Sequence, residues 1–381
     1  MICASDMSKR DRIWDVLIVG AGVAGAMAAS RLAQLGLSVL LIDKAAFPRA
    51  KACGCCLNHS AVGLLTDAGL DVRALGAVPV NRFELACSGT TVTVPTPPGL
   101  AVSREILDVA LIRHAEKAGA VFMSGAPAVS TRTSADYRVV DGRHNGIETS
   151  WRARVVLVAD GLGGRLLKDS GGVHIAAKSR VGLAGTLEHT TDFYAPGNIY
   201  MACGKRGYAG LVMVENGRLH IAAALDCIAA QQAAGAVNAV AEIIREAGLP
   251  VPASLGTCRW YGAPALTRRR HRLFEQRLFI LGDAAGYVEP FSGEGMAWAL
   301  ASASRVVPLV SAGVQAWRPE LGRQWELQHR KLIGSRQRMC RVLTLLLRNA
   351  GLTRVAIEAL QLSPALASPL VRRINRPFIL A

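Results

Sequence analysis

The order of apolar and polar positions along the chain predicts alternating strands and helices. Residues 15–20, DVLIVG, form a continuous apolar run with β-branched members, the pattern of a buried parallel strand. The turn GAGVAG (20–25) follows, then AMAASRLAQLG, a small-residue helix ending at Gly36. SVLLID (38–43) predicts a second buried strand that ends on Asp43. SREILDVALIRHAEKAGA (103–120) reads as a helix opened by Ser103. RARVVLVADGLGGRLLKDSG (152–171) predicts a strand ending at Asp160-Gly161, followed by Gly163, Gly164 and Arg165. RLFILGDAAGYVEPFSGEGMAWALASA (277–303) predicts a strand ending at Gly282-Asp283 and then a helix. Between them, RFELACSGTTVTVPTP (82–97) and residues 174–275 alternate as short strands, and Glu215-Asn216-Gly217 is a hairpin signal. Beyond Arg330, Met339, Val342, Leu343, Leu346 and Leu347 recur at helical spacing beside Arg338, Arg341 and Arg348.

Composition narrows this picture. With 381 residues, 51% hydrophobic and 19% charged, the chain suits one large domain or two interleaved ones with an ordered core. Lys plus Arg is 44 against 28 Asp plus Glu, a net +16 that favours nucleotide phosphates, acidic lipid surfaces or, non-specifically, nucleic acid. Charge alone does not choose among them. Nine cysteines, an odd count, and no apolar segment before the first strand lead to the expectation of a reducing, cytoplasmic setting. No apolar run approaches the roughly 18 to 20 residues of a spanning helix; VLTLLL (342–347) is far shorter. A meeting with a membrane is therefore expected from its surface.

The first sixty residues carry the clearest chemistry. In strand–turn–helix–strand context, G-x-G-x-x-G predicts a dinucleotide site. Gly20 permits the tight turn, Gly22 lets backbone approach a pyrophosphate, and Gly25 lets helix and strand pack closely. Val23 and Ala24 belong to the helix start, whose free N–H groups attract phosphate. Asp43 is placed to accept from a ribose diol, with Lys44 beside it. The fingerprint does not separate FAD from NAD. The chain does, because after Asp43 it leaves for a cysteine loop and strands instead of continuing βαβ units. That loop, KACGCCLNHS (51–60), lacks a second Cys or His pair at zinc spacing, so no metal site is predicted. A bond between the adjacent Cys55 and Cys56 would be strained.

Four motifs in this order resemble the FAD-dependent oxidoreductases of the p-hydroxybenzoate hydroxylase-type fold: the fingerprint, the Arg104-headed helix, the D-G strand end and the G-D strand end. That superfamily includes aromatic monooxygenases, flavin-dependent halogenases and geranylgeranyl reductases. The resemblance spans residues 15 to about 303 and implies an α/β fold (α+β overall). A Rossmann-like FAD-binding domain would comprise 12–80, 100–173 and 274–330. An antiparallel β-sheet substrate domain would comprise 81–99 and 174–273, and 331–381 would be a basic amphipathic helical C-terminal segment. It implies that Asp283, after Gly282, binds the ribityl chain, and that Gly293, Gly295 and Met296 lie near the flavin pyrimidine edge. Arg104 would lie along the cofactor and Asp160 would serve the cofactor side and packing, although each equally suits a cap or salt-bridge role.

The branch is read from smaller features. No W-x-W-x-I-P occurs, which disfavours halogenation. Lys51-Ala52-Cys53-Gly54 is similar to the cysteine loop of the geranylgeranyl reductase branch, which implies that Cys53 faces the flavin as proton donor or gate. The stretch 206–226 keeps Gly207-Tyr208 but has Gly210 where that branch carries Trp. The expected substrate is accordingly a lipophilic or aromatic small molecule, walled by Cys55, Tyr208, Leu211, Met213, Pro290 and Phe291. Leu183 and Met201 belong to the same apolar set, while His189 and His220 read as surface or core residues, not bases. Reduction of a C=C bond is the first choice. The alternative is a flavin monooxygenase hydroxylating an aromatic or polyketide-like substrate, and a non-catalytic FAD- or membrane-binding protein ranks third. Electrons would come from transiently bound NAD(P)H or a separate reductase. TRRRHRLFEQR (267–277) reads as a solvated loop or a counter-charge to an anionic substrate, with no specific nucleic-acid partner. Residues 330–376 hold ten Lys or Arg against one acid, Glu358. They are expected to cap the fold with a charged face, or else to dock peripherally on an anionic membrane.

Overall fold

The computed structural model describes residues 12–164, 166–167, 172–188, 192–227, 235–289 and 291–379. Arg165, His189 and Pro290 lie outside the described residues, so the pocket role expected of Pro290 is not addressed. Helices with described bounds are α1 (Val23–Gln34), α2 (His59–Asp67), α3 (Arg104–Lys117), α4 (Gly235–Ala247), α5 (Gly295–Gln315), α6 (Pro319–Leu346), α7 (Ala350–Leu362) and α8 (Ser368–Asn375).

The apolar run Ile13–Val19 forms the middle of a mainly parallel sheet. It pairs in parallel with Val39–Ile42 on one side and Ile147–Val158 on the other, with Val19 opposite both Ile42 and Val158. Val121–Met123 and Leu278–Ile280 extend the sheet at its two sides. Leu17, Ile18, Leu40 and Leu41 are fully buried, as expected of strands covered on both faces. Each such side chain contributes about 1.5–3 kcal/mol. α1 and α5 pack against each other on this sheet. α5 is long and apolar enough by composition to cross a bilayer, but 67% of that stretch is buried inside the fold, so it is a core helix.

A second sheet runs in the order Trp260–Ala263, Val181–Leu187, Arg218–Leu225, Gly207–Val214, Gly197–Gly204, Val78–Cys87, Thr90–Ala101, Cys56–Leu57. Most neighbours are antiparallel, but Gly197–Gly204 and Val78–Cys87 run parallel, so the sheet is mixed. The hairpin signal sits where it was expected: Asn216 (φ 61°) and Gly217 (φ 68°) turn the chain between Val214 and Arg218. α4 covers one face through Val240, Ile243 and Ile244. The other face looks toward the parallel sheet.

Three features differ from the sequence reading. Cys56–Leu57 belongs to the second sheet although it follows the fingerprint closely. Residue 331 is no boundary, because α6 runs through it unbroken. The arginine run is no solvated loop: Arg268–Arg270 forms a strand between Val173–Ile175 and Gly286–Tyr287. There Arg268 donates to the Leu162 carbonyl (2.6 Å) and Arg270 to the Ala284 carbonyl (3.2 Å). These bonds tie the D-G turn to the G-D turn.

Candidate functional site

A cavity of about 900 Å³ opens between the two sheets. Its first wall is the fingerprint turn. Gly20 has φ 105°, and a Cβ there would stand 2.4 Å from the Ala159 carbonyl oxygen. A Cβ on Gly25 would lie 1.8 Å from the Gly20 oxygen, so Gly25 serves helix–strand contact and does not line the cavity. Gly22, Val23 and Ala24 do line it. A Cβ on Gly22 would meet only the guanidinium groups of Arg104 (3.6 Å) and Arg49 (3.8 Å). No side chain caps the start of α1, which leaves its first N–H groups for a ligand.

Charge is concentrated at that turn. Arg104 pairs with Asp108 in the same helix (2.8 Å), and Arg49 lies 3.5 Å from the same carboxylate. Two cations therefore share one buried anion beside Gly22. Burial works against the Arg104 charge, but the Asp108 carboxylate outweighs it and holds the guanidinium charged. Asp43 accepts from the N–H groups of Ala21 (2.8 Å) and Ala45 (2.9 Å), so its carboxylate fastens the turn and borders the cavity. Lys44 and Ala52 line the cavity too. Arg49 was not singled out from the sequence; a lone arginine in a loop gives no pattern.

The second wall joins three distant segments. Asp283 faces Lys51 (3.8 Å), whose pKa is lowered by burial and by Arg104, against the pull of Asp283. Gly282 (φ 61°) stands behind the wall; a Cβ there would strike Ala24 at 2.8 Å. The Asp160 carboxyl folds over Gly164, where a Cβ would be 2.1 Å away, and burial raises its pKa. Gly293, Gly295 and Met296 bring the uncapped start of α5 to the cavity. Glu294, just before that helix, is fully buried and bonded to Arg336 of α6 (3.1 Å).

The cysteine loop forms the third wall. Cys53, Cys55 and Cys56 all border the cavity. A hydrogen bond to the Cys55 thiol, with burial, raises the Cys53 pKa well above that of an ordinary cysteine, against the pull of Arg104. Burial pushes Cys56 up to about 12. The loop is held from behind by His220, whose Nε2 lies 2.7 Å from the Cys53 carbonyl oxygen and whose Nδ1 lies 2.9 Å from Thr186 Oγ1. A carbonyl only accepts, so Nε2 carries the proton and Nδ1 accepts from Thr186. Burial lowers the pKa of His220 and keeps the ring neutral. The sequence reading placed this histidine as surface or core, and it is a core residue that positions the loop. His220→Ala should lower turnover about tenfold with flavin retained, because an unpaired buried carbonyl costs about 1–3 kcal/mol. His220→Gln, which restores an N–H donor, should recover much of it; equal kcat in all three proteins would refute the assignment.

The remaining walls are apolar. Met201, Tyr208, Gly210, Val212, Leu183 and Phe291 line the cavity, and the Tyr208 and Phe291 rings meet edge to face at 5.1 Å. Leu211 and Met213, expected here, point the other way and pack beneath α4. Their odd positions put them on the opposite face from Tyr208, as strand alternation requires. The C-terminal segment was expected to cap the fold, but not to roof the cavity. The roof comes from the C-terminal helices, through Leu343 and Leu346 of α6, Leu347 just after it, Ile357 and Leu360 of α7, and Leu370 and Ile374 near the end. Arginines fasten it: the buried Arg336 bonds to Glu294 and to the Ile374 and Arg376 carbonyls, and the half-buried Arg348 pairs with Asp226 (3.3 Å).

Comparison with known proteins agrees with this geometry. A family described as "FAD binding domain" matches residues 14–315. Menaquinone reductase of Mycobacterium tuberculosis is 37% identical over 158 residues, which is 39% of this chain and 37% of that protein. The matched region thus spans little more than a third of that relative's length. Geranylgeranyl diphosphate reductase of Rhodobacter capsulatus is 26% identical over 324 residues, 80% of this chain and 77% of that one. Among solved structures, p-nitrophenol 4-monooxygenase PnpA of Pseudomonas putida superposes with TM-score 0.80 at 15% identity, covering 95% of this chain and 98% of that one. At that identity the likeness shows a shared fold.

Proposed function

The chain belongs to the FAD-binding-domain family, and from that premise we propose that it reduces a C=C bond of a lipophilic, isoprenoid-like molecule. FAD is the cofactor and the protein is an FAD-dependent oxidoreductase. The residues present fit that group. The Arg49 Nε is buried with no hydrogen-bond partner, and the open space before Gly22 faces two guanidiniums and an uncapped helix start. In this reading Gly22, Val23, Ala24, Arg49 and Arg104 hold the pyrophosphate, Asp43 the ribose, Asp283 the ribityl chain, and the start of α5 the pyrimidine edge.

Bound FAD supplies a hydride, once charged by a nicotinamide nucleotide or a partner reductase. The observation that carries the reductase reading is the Cys53 thiol at the border of a cavity whose sheet wall and helical roof are apolar, with its pKa raised so that it keeps its proton. Saturating a C=C bond needs a hydride at one carbon and a proton at the other. Cys53 delivers the proton from its Sγ, and the thiolate that remains is stabilised by the Arg104 guanidinium. Tyr208, Phe291 and the leucines of α6 and α7 exclude water and hold the hydrocarbon. The names of the two relatives, one acting on a menaquinone and one on geranylgeranyl diphosphate, favour an isoprenoid substrate.

Product analysis tests this. Holoprotein given a reductant and a polyprenyl quinone or diphosphate without oxygen should yield a product with one C=C bond saturated. A hydroxylated product formed only in air would replace this reading with the monooxygenase one. The raised Cys53 pKa adds a pH prediction. The thiol is the active form, so activity is lost only above its raised pKa. Turnover should stay level through about pH 8.5, where an unperturbed cysteine titrates. A fall centred near that pH would show an ordinary thiol.

A further inference from the structure

α7 is apolar on two sides. Thr353, Ile357 and Leu360 face the cavity, whereas Leu352, Val355 and Leu362 stand 55%, 62% and 91% exposed. At about 100° per residue Val355 and Leu362 lie opposite the cavity set, while Leu352 lies at its edge beside Ala356 and Ala359, which also line the cavity. The exposed set continues onto neighbouring segments. Val342 and Leu345 at the end of α6 are 65% and 68% exposed, and Leu366, in the turn after α7, is 62% exposed. Leu366 also lines the cavity, so this apolar surface reaches the cavity mouth.

The flanks are cationic. Arg338, Arg341, Arg372, Arg373 and Arg376 are exposed. The Arg341 stem is partly covered although its residue is exposed overall, and its pKa is lowered by that burial and then by its cationic neighbours Arg269 and Arg338. Glu358 is the one acid from 330 to 379, and it is bonded to Arg354 (2.7 Å). We infer that this surface docks on an anionic bilayer, with the leucines at the headgroup–acyl boundary and the arginines on lipid phosphates. A second copy is the poorer occupant, since a symmetric contact would bring the same arginines face to face. The docking deepens the proposed function, on which its second half rests: a lipophilic substrate would reach the cavity from the acyl region past Leu366.

The test is sedimentation of FAD-loaded protein with phosphatidylcholine vesicles, with or without phosphatidylglycerol. Binding should require the anionic lipid and weaken at high salt. The triple variant Leu352→Glu, Val355→Glu, Leu362→Glu, and separately Arg372→Glu with Arg373→Glu, should each weaken it by about tenfold or more. Both variants should keep their flavin and their activity on detergent-dispersed substrate, and lose activity on vesicle-embedded substrate. Wild-type protein that ignores anionic vesicles, or binds neutral ones equally, overturns the docking. So does a dimer in ultracentrifugation that the triple variant dissociates. Vesicle binding without C=C reduction would instead sink the reductase reading and leave the docking standing.

Discussion

Cys53→Ala is expected to lower turnover by about 10²–10⁴-fold, the range of a lost general acid, with FAD still bound. The pyrophosphate cradle at Gly22, Arg49 and Arg104 does not depend on that side chain, so the flavin absorbance per protein should be unchanged. The thiol is small and partly buried, and alanine fits the same space without strain. What disappears is a proton donor at the border of a cavity whose sheet and roof sides are apolar, where water is a poor substitute. Cys53→Ser keeps a hydroxyl there and should fall between wild type and alanine. Full turnover by Cys53→Ala would remove this residue from the chemistry.

The second large effect separates two glycines only three positions apart. Gly22→Val should give a folded, colourless protein. Its Cβ meets nothing closer than the Arg104 and Arg49 guanidiniums, so folding is spared while the branched side chain fills the phosphate cradle. Losing two charge-assisted contacts at about 1.5–3 kcal/mol each lowers FAD affinity by at least about a hundredfold. Gly25→Ala should instead fail in folding, because its Cβ falls 1.8 Å from the Gly20 oxygen, which is backbone and cannot swing aside. Flavin absorbance and circular dichroism distinguish the two. If Gly22→Val is yellow, the cradle lies elsewhere.

Much of the frame could be read from the chain because its signals are local. The fingerprint lies between a strand and a helix, Ser103 caps α3 by accepting from the Ile106 N–H, and Asn216-Gly217 supplies two positive φ angles. The misplacements arose where one local rule was left unused or where no local rule exists. Tyr208 with Leu211 and Met213 mixes the two faces of one strand, and alternation would have replaced the latter pair by Gly210 and Val212. Gly25 and Gly282 stand behind the cavity because close backbone approach, not ligand contact, requires them. The arginines at 268 and 270 look like a solvated run until the carbonyls of Leu162 and Ala284 come to meet them. His220 stands 167 residues from the loop it supports, a pairing that only the tertiary fold creates. The C-terminal leucines showed helical spacing, but nothing nearby indicated that they roof a cavity begun at residue 20.

The central claim is that this site passes reducing equivalents to a carbon–carbon double bond. The most direct test is to reduce the bound flavin anaerobically and follow its reoxidation in a stopped-flow instrument. Added polyprenyl substrate should restore the oxidised spectrum without oxygen, in step with formation of the saturated product, while oxygen alone should act slowly. A flavin that stays reduced with every polyprenyl substrate, yet reoxidises rapidly with oxygen as a hydroxylated product appears, would contradict the account.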